Sequence, residues 1–140
     1  MNCSIVTDMP DTGKTQGMLT IHCMSFGFKH GVPQEADLMF DVRCLPNPYY
    51  IPELKEQTGL DERVYDYVMQ WEQSIGFRDR LLDMVDYLLP LYRSGGRNRL
   101  TIAIGCTGGH HRSVSMVRAL CAHVQAQGQD VTVFHRDIEK

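Results

Sequence analysis

LTIAIGCTGGHHRSVSMVRAL, residues 100–120, is the stretch on which the fold turns. Leu100, Ile102 and Ile104 alternate with Thr101 and Ala103, the two-residue period of a strand. Val114, Val117, Leu120, Cys121 and Val124 recur at helical spacing and predict a helix over 112–127, with Gly128 just past its end. Between them Gly105–His111 is a glycine-rich turn. A strand that passes through such a turn into a helix is the building unit of a parallel α/β sheet. Gly108 and Gly109 have no Cβ, so the backbone there can approach a ligand closely. The turn's peptide N–H groups lie at the positive end of the following helix dipole. Thr107 and Ser113 add hydroxyls, and Arg112 adds a planar fork suited to phosphate or carboxylate. The stretch therefore predicts an anion cradle with phosphate as its natural guest. The alternative is a tight turn with Ser113 as the helix cap.

Outward from this unit, Leu19, Ile21 and Cys23 alternate with Thr20 and His22 and predict a strand over 18–26. LMFDV (38–42) predicts a short buried strand, and 131–134 a last one. Residues 43–59 carry Pro46, Pro48, Pro52 and Gly59 and read as a long extended loop, a type of segment that often carries function. One helix is expected over 61–74, capped by Asp61 and built on Val64, Tyr67, Val68 and Trp71. A second is expected over 77–93 on Phe77, Leu81, Val85, Leu88 and Leu89, with Pro90 kinking or ending it. The order implies an α/β domain over residues 18–140, a small mostly parallel sheet with helices packed on it. A flexible arm over 1–17 is expected to precede it. Gly13-Lys14-Thr15 in that arm ends like a P-loop, but Asp8 stands where the first glycine belongs, so no nucleotide site is expected there.

The 140 residues are 43% hydrophobic and 22% charged, which excludes a disordered or low-complexity chain. No apolar run approaches the roughly 18 residues of a membrane span, and Met1–Gln16 holds no apolar leader segment. The five cysteines form no CxxC pair, which argues against a disulfide framework and a zinc finger and fits a reducing cytoplasm. Cys106, His110 and His111 are poorly spaced for a metal, and no metal or cofactor is expected. Residues 35–86 hold twelve acidic residues against five basic ones. Residues 87–129 hold five arginines (Arg93, Arg97, Arg99, Arg112, Arg118) and no acid, a positive region able to attract an anion.

Residues 106–113 also read as C-x5-R-S, the spacing of cysteine-dependent phosphatases. In that alternative Cys106 is the nucleophile, Arg112 and the loop amides hold the phosphoryl oxygens, and Asp41 is the acid brought in by the fold. Gly105 stands where those enzymes usually carry histidine. In a parallel sheet, ligands sit at the carboxyl ends of the strands, which would gather Lys29, His30, Asp41, Arg43 and the 105–112 turn on one edge. Binding and turnover both remain open on the residues alone.

SFGFKHG (25–31), FDVRCLPNPYY (40–50), TGLDERV (58–64) and IGCTGGHHRS (104–113) occur in this order. From about residue 18 to the end the chain resembles the C-terminal domain of the RapZ family, the RNase adapter proteins. The resemblance implies an α/β domain that self-associates as a dimer, an RNA-binding adapter role, and a pocket for an amino-sugar phosphate such as glucosamine-6-phosphate. It also implies pocket residues Asp41, Tyr49, Cys106, Thr107, Gly108, His111 and Arg112, beside the Gly109 and Ser113 of the cradle itself. Members of this family are not regarded as phosphatases. The family's N-terminal nucleotide-binding domain is expected to be missing here, which leaves ATP or GTP activity without a seat. Tyr49 stands where the best-known members carry histidine. The basic tail tied to RNA contact is reduced to Arg136–Lys140, so RNA contact would fall to Arg93, Arg97, Arg99 and Arg118.

Overall fold

Alternating apolar residues produce four strands in a computed structural model that describes residues 19–140. They are β1 (Thr20–Gly27), β2 (Leu38–Asp41), β3 (Arg99–Cys106) and β4 (Asp130–His135). The sheet order is β2-β3-β1-β4, and every neighbouring pair is parallel. The arm expected at 1–17 and its Gly13-Lys14-Thr15 triplet lie outside the described residues. The helices are α1 (Pro52–Lys55), α2 (Glu62–Met69), α3 (Glu72–Ser94) and α4 (Arg112–Ala126).

One face of the sheet presents Ile21 and Cys23 from β1 and Leu100, Ile102 and Ile104 from β3. Leu81, Val85 and Leu89 of α3 and Met116, Val117, Leu120 and Val124 of α4 close over them. Burying one such side chain contributes about 1.5–3 kcal/mol, so this layer is the main source of stability. On the opposite face Phe26 lies over Gly105 of the neighbouring strand. A Cβ on Gly105 would come within 2.4 Å of the ring, so only glycine fits there. The Phe26 and Phe28 rings meet edge to face at 4.8 Å between centroids, and the Arg43 guanidinium stacks 3.9 Å over Phe28.

Three expectations need correction. The 38–42 run is not a buried strand: β2 is an edge strand pairing only with β3, and its residues alternate between half-buried and exposed. The helix expected over 61–74 ends at Met69, and Trp71 instead takes the cap position before α3. Pro90 does not end α3, which runs on to Ser94. Its ring is exposed, so it removes one helical donor without entering the core. Asp61 does cap α2, its carboxylate accepting from the Arg63 N–H at 2.8 Å. The turn after α4 closes as expected, with Gly128 at φ 82°.

Parallel strands bring all four carboxyl ends to one edge. The register pairs Gly27 with Cys106 and Asp41 with Gly105. The glycine turn, the 28–30 turn and the long 42–59 segment therefore meet there.

Candidate anion-binding site

β3 ends at Cys106 and α4 begins at Arg112, so residues 107–111 must turn the chain in five residues. Gly109 makes this possible at φ 82°, and a Cβ there would lie 2.7 Å from the Gly27 nitrogen. Gly27 is equally confined, since its Cβ would meet the Gly108 carbonyl carbon at 2.4 Å. The turn is thus pressed against the exit of β1. Among the described residues, the peptide N–H groups of residues 107–112 donate to no protein acceptor, while the carbonyls of Gly105, Thr107, His110 and His111 do accept hydrogen bonds. Donors are left over at the N-terminus of a 15-residue helix, where the dipole favours an anion.

Arg112 is only 5% exposed. Its Nη1 donates to the carbonyls of Arg43 (2.8 Å) and Leu45 (3.1 Å), which fix the guanidinium and bind the start of the long segment to the turn. Nη2 lies 3.5 Å from the Thr107 hydroxyl, and the buried Nε has no partner among the described residues. A buried guanidinium donor without an acceptor is costly unless something accepts from it. Cys106 sits beneath, its thiol donating to the Ser113 hydroxyl at 3.2 Å. Ser113 is fully buried and supports the cysteine rather than capping α4, whose cap residue is His111.

These groups line a cavity of about 330 Å³. The turn supplies Cys106, Thr107, Gly108, His110, His111 and Arg112. The long segment supplies Asn47, Tyr49 and Tyr50, and Lys29 enters from the end of β1. Asn47 accepts from the Tyr49 N–H at 3.1 Å and starts the short 3-10 turn Pro48–Tyr50 that presents both tyrosines. His111 also ties the two walls together: its Nε2 lies 3.1 Å from the Lys55 carbonyl, which can only accept, so that nitrogen carries the proton. Burial pushes its pKa down, with the charges of His110 and Arg112 adding to this and the Lys55 and Gln57 carbonyls opposing it. The neutral imidazole is thereby favoured.

A family model described as the RapZ C-terminal domain matches residues 19–139. The chain belongs to the RapZ C-terminal domain family. It is 49% identical over 127 residues to a nucleotide-binding protein of Bacillus thuringiensis (strain Al Hakam), covering 91% of this chain and 43% of that one. A nucleotide-binding protein of Clostridium kluyveri is 45% identical over 130 residues, 93% of this chain and 44% of the relative. A relative from Bacillus mycoides (strain KBAB4), also called a nucleotide-binding protein, matches at 49% over 127 residues. The chain thus spans less than half the length of these relatives.

Of the residues expected in the pocket of this RapZ C-terminal domain, Tyr49, Cys106, Thr107, Gly108, His111 and Arg112 meet at one cavity. Gly109 shapes the turn from behind, and Ser113 lies below. Asp41 is outside the lining. Arg43 holds both of its oxygens at 2.7–3.1 Å and also donates its peptide N–H. Those bonds from Arg43, first among the causes, keep the Asp41 carboxyl below the usual carboxylate range. Sequence reasoning missed Asn47 and Tyr50, although Asn-Pro at 47–48 is a turn-starting pair that would have placed them.

The arginine set of this RapZ C-terminal domain does not gather at the cavity. Arg97 and Arg99 lie at the opposite, amino edge of the sheet, and Arg93 donates to Gln129 there. Arg97 pairs with Asp37 and Arg118 with Glu62. The two basic residues of the C-terminal tail, Arg136 and Lys140, both pair with the buried Asp137. Among the described residues no helix is long and apolar enough to cross a membrane, and no His, Cys, Asp and Glu side chains cluster as metal ligands.

Proposed function

We propose that this chain is a regulatory ligand-binding domain that holds a phosphorylated small molecule, a sugar phosphate or similar anion, in the cavity at the 105–112 turn. The observation that carries the reading is Arg112, buried and fixed by two carbonyls, with its Nε unpartnered beside six peptide donors that have no protein acceptor among the described residues. Such donors stabilise an anion without reorganising. Glucosamine-6-phosphate is the candidate that the family resemblance puts forward. Binding is favoured over turnover because Asp41, the acid a phosphatase would need, is held by Arg43 outside the lining.

In the same reading the domain works in the cytoplasm as a dimer and passes ligand occupancy on as an RNA-binding adapter. The Arg99 edge would supply the RNA contact. Filter binding of a structured RNA across a salt series tests this: a steep fall in affinity with salt supports it, and a flat response removes it. Calorimetric titration with glucosamine-6-phosphate, glucosamine and inorganic phosphate tests the site itself. The phosphorylated species should bind and glucosamine should not. If neither phosphorylated species binds, the proposal is wrong.

A further inference from the structure

We infer that the turn over residues 136–140 is a brace that holds the anion turn in its binding form, with Asp137 as the positioning residue, so that docking of this brace and occupancy of the anion site strengthen each other. This rests on the phosphate reading above and adds how that site is regulated.

Arg136-Asp137-Ile138-Glu139-Lys140 follows β4 directly. The Arg136 N–H donates to the Ser25 carbonyl at 3.0 Å, and the chain then turns, the Lys140 N–H donating to the Asp137 carbonyl at 3.1 Å. The turn buries Asp137 completely although it carries a charge. A buried carboxylate is tolerated only when its oxygens are satisfied. Arg136 and Lys140 pair with it at 2.9 and 2.8 Å, and the Gly27 N–H donates to it at 2.7 Å. The last of these contacts reaches the anion site. A Cβ on Gly109, the residue at φ 82°, would lie 2.7 Å from the Gly27 nitrogen and 3.0 Å from the Asp137 Cβ. Asp137 and Gly27 thus stand directly behind the left-handed residue on which the shape of the anion turn depends.

Arg136 acts on the other wall. Its Nη2 donates to the carbonyls of His30 and Gly31, and its guanidinium lies 5.6 Å over the Phe26 ring. Those carbonyls end the 28–30 turn that brings Lys29 to the cavity, and the Lys29 N–H in turn donates to the Thr107 carbonyl at 3.2 Å. Among the described residues lining the cavity, none belongs to the 136–140 turn. It touches both segments from behind. Its own hold is modest, since Glu139 and Lys140 are exposed, and so short a turn opens more readily than the sheet it rests on. Once open, it takes the acceptor from the Gly27 N–H and the support from behind Gly109, and the peptide donors are no longer pre-organised. Apparent affinity then falls with the fraction of time the turn is docked, and by reciprocity a bound anion stabilises the docked turn.

The test combines calorimetric titration with inorganic phosphate and amide hydrogen exchange read by NMR. Asp137→Ala should weaken phosphate binding about tenfold or more. Asp137→Asn keeps an acceptor for the Gly27 N–H and should stay within about threefold of the parent chain. Val124→Ala, a core change at the far end of α4, should lower the urea midpoint yet leave phosphate affinity within about twofold. In the parent chain, saturating phosphate should slow exchange of the Lys140 amide about tenfold, because the opened turn leaves a weaker anion site. That last measurement decides between the outcomes if Asp137→Ala does not fold. The inference is overturned, with the phosphate site intact, by unchanged affinity in a folded Asp137→Ala, by equal losses in the Ala and Asn variants, by a like loss in Val124→Ala, or by a Lys140 exchange rate that ignores phosphate. Failure of the parent chain to bind phosphate refutes the phosphate reading itself and this inference with it.

Discussion

Arg112 performs two tasks through different nitrogens. Nη1 satisfies the carbonyls of Arg43 and Leu45, while Nη2 lies near the Thr107 hydroxyl of the turn and Nε has no partner among the described residues. Arg112→Lys keeps a charge but cannot serve both, because an ammonium is a point donor and not a fork. Phosphate affinity should fall about tenfold or more in this variant, read by titration calorimetry. Arg112→Ala should in addition destabilise the fold by about 1–3 kcal/mol in urea denaturation, since buried carbonyls lose their donor. Gly105 makes a separate point about packing. Gly105→Ala drives a methyl into the Phe26 ring and should cost about 1–3 kcal/mol. Combining it with Phe26→Leu should recover part of that loss, which a double-mutant cycle would measure. At this scale the sequence was most legible where the site is contiguous. Cys106 to Arg112 are adjacent in the chain, and strand-turn-helix chemistry alone places them. Asp41 reads either way in the sequence, because an ion pair with Arg43 two residues on competes with a ligand for its carboxylate, and the fold makes that pair. Asp137 was hidden for a different reason. A short charged tail carries no periodicity, yet this carboxylate is buried and accepts from the Gly27 N–H at 2.7 Å.

Among the elements, α3 departs most from expectation. Its apolar stripe continues past Pro90, with Tyr92 packing on the core after Leu89, so tertiary burial outweighs the missing N–H. Pro90→Ala restores a helical donor at an exposed position. It should raise stability by about 1–3 kcal/mol, the helical gain less the proline's restriction of the unfolded chain. The check is the urea midpoint at unchanged slope, and a lowered midpoint would mean that the ring itself is needed to steer Leu91 and Tyr92. The same stripe explains the misplaced boundary before it. Trp71 keeps helical phase with Val64 and Val68, and no glycine or proline marks the break at Gln70. Periodicity therefore runs through a corner that only packing creates. α1 was invisible because four residues are too few to show a period. The strands were read correctly in place and direction, whereas the position of β2 at the edge depends on pairing order, which no local pattern encodes.

Across the whole molecule, the acid-rich and arginine-rich segments meet in a few ion pairs. β3 lies inside the sheet and draws Arg97 to Asp37, while α4 draws Arg118 to Glu62 and His123 to Asp86. The pH dependence of stability follows from groups that the fold shifts. His22, His111 and His135 are all pushed below the usual 6.5, burial being the largest cause in each. The unfolded chain then binds protons near 6.5 that the folded chain refuses, so their stabilisation is complete above that pH and declines as the pH falls through the folded values. Asp41 and Asp61 are held below the usual 3.8, chiefly by their arginine neighbours. For Asp37 and Asp137 burial pushes upward but is outweighed, by the Thr101 N–H and Arg97 in one case and by Arg136, the Gly27 N–H and Lys140 in the other. Their contribution is complete above 3.8 and lost as the pH falls through the folded values. Cys23 shifts the opposite way, burial pushing its thiol from 9.0 to about 12. The folded chain keeps that proton while the unfolded chain releases it, so stability also declines above 9.0. Urea midpoints measured across pH should therefore show a plateau between 6.5 and 9.0, with a shallow decline just below it and a steeper one below 3.8. His111→Gln should reduce the shallow decline and leave the steep one in place, because the carboxylates remain. A stability that rose between neutral pH and pH 5 would contradict this account, since it would require the imidazolium forms to be the ones the fold prefers.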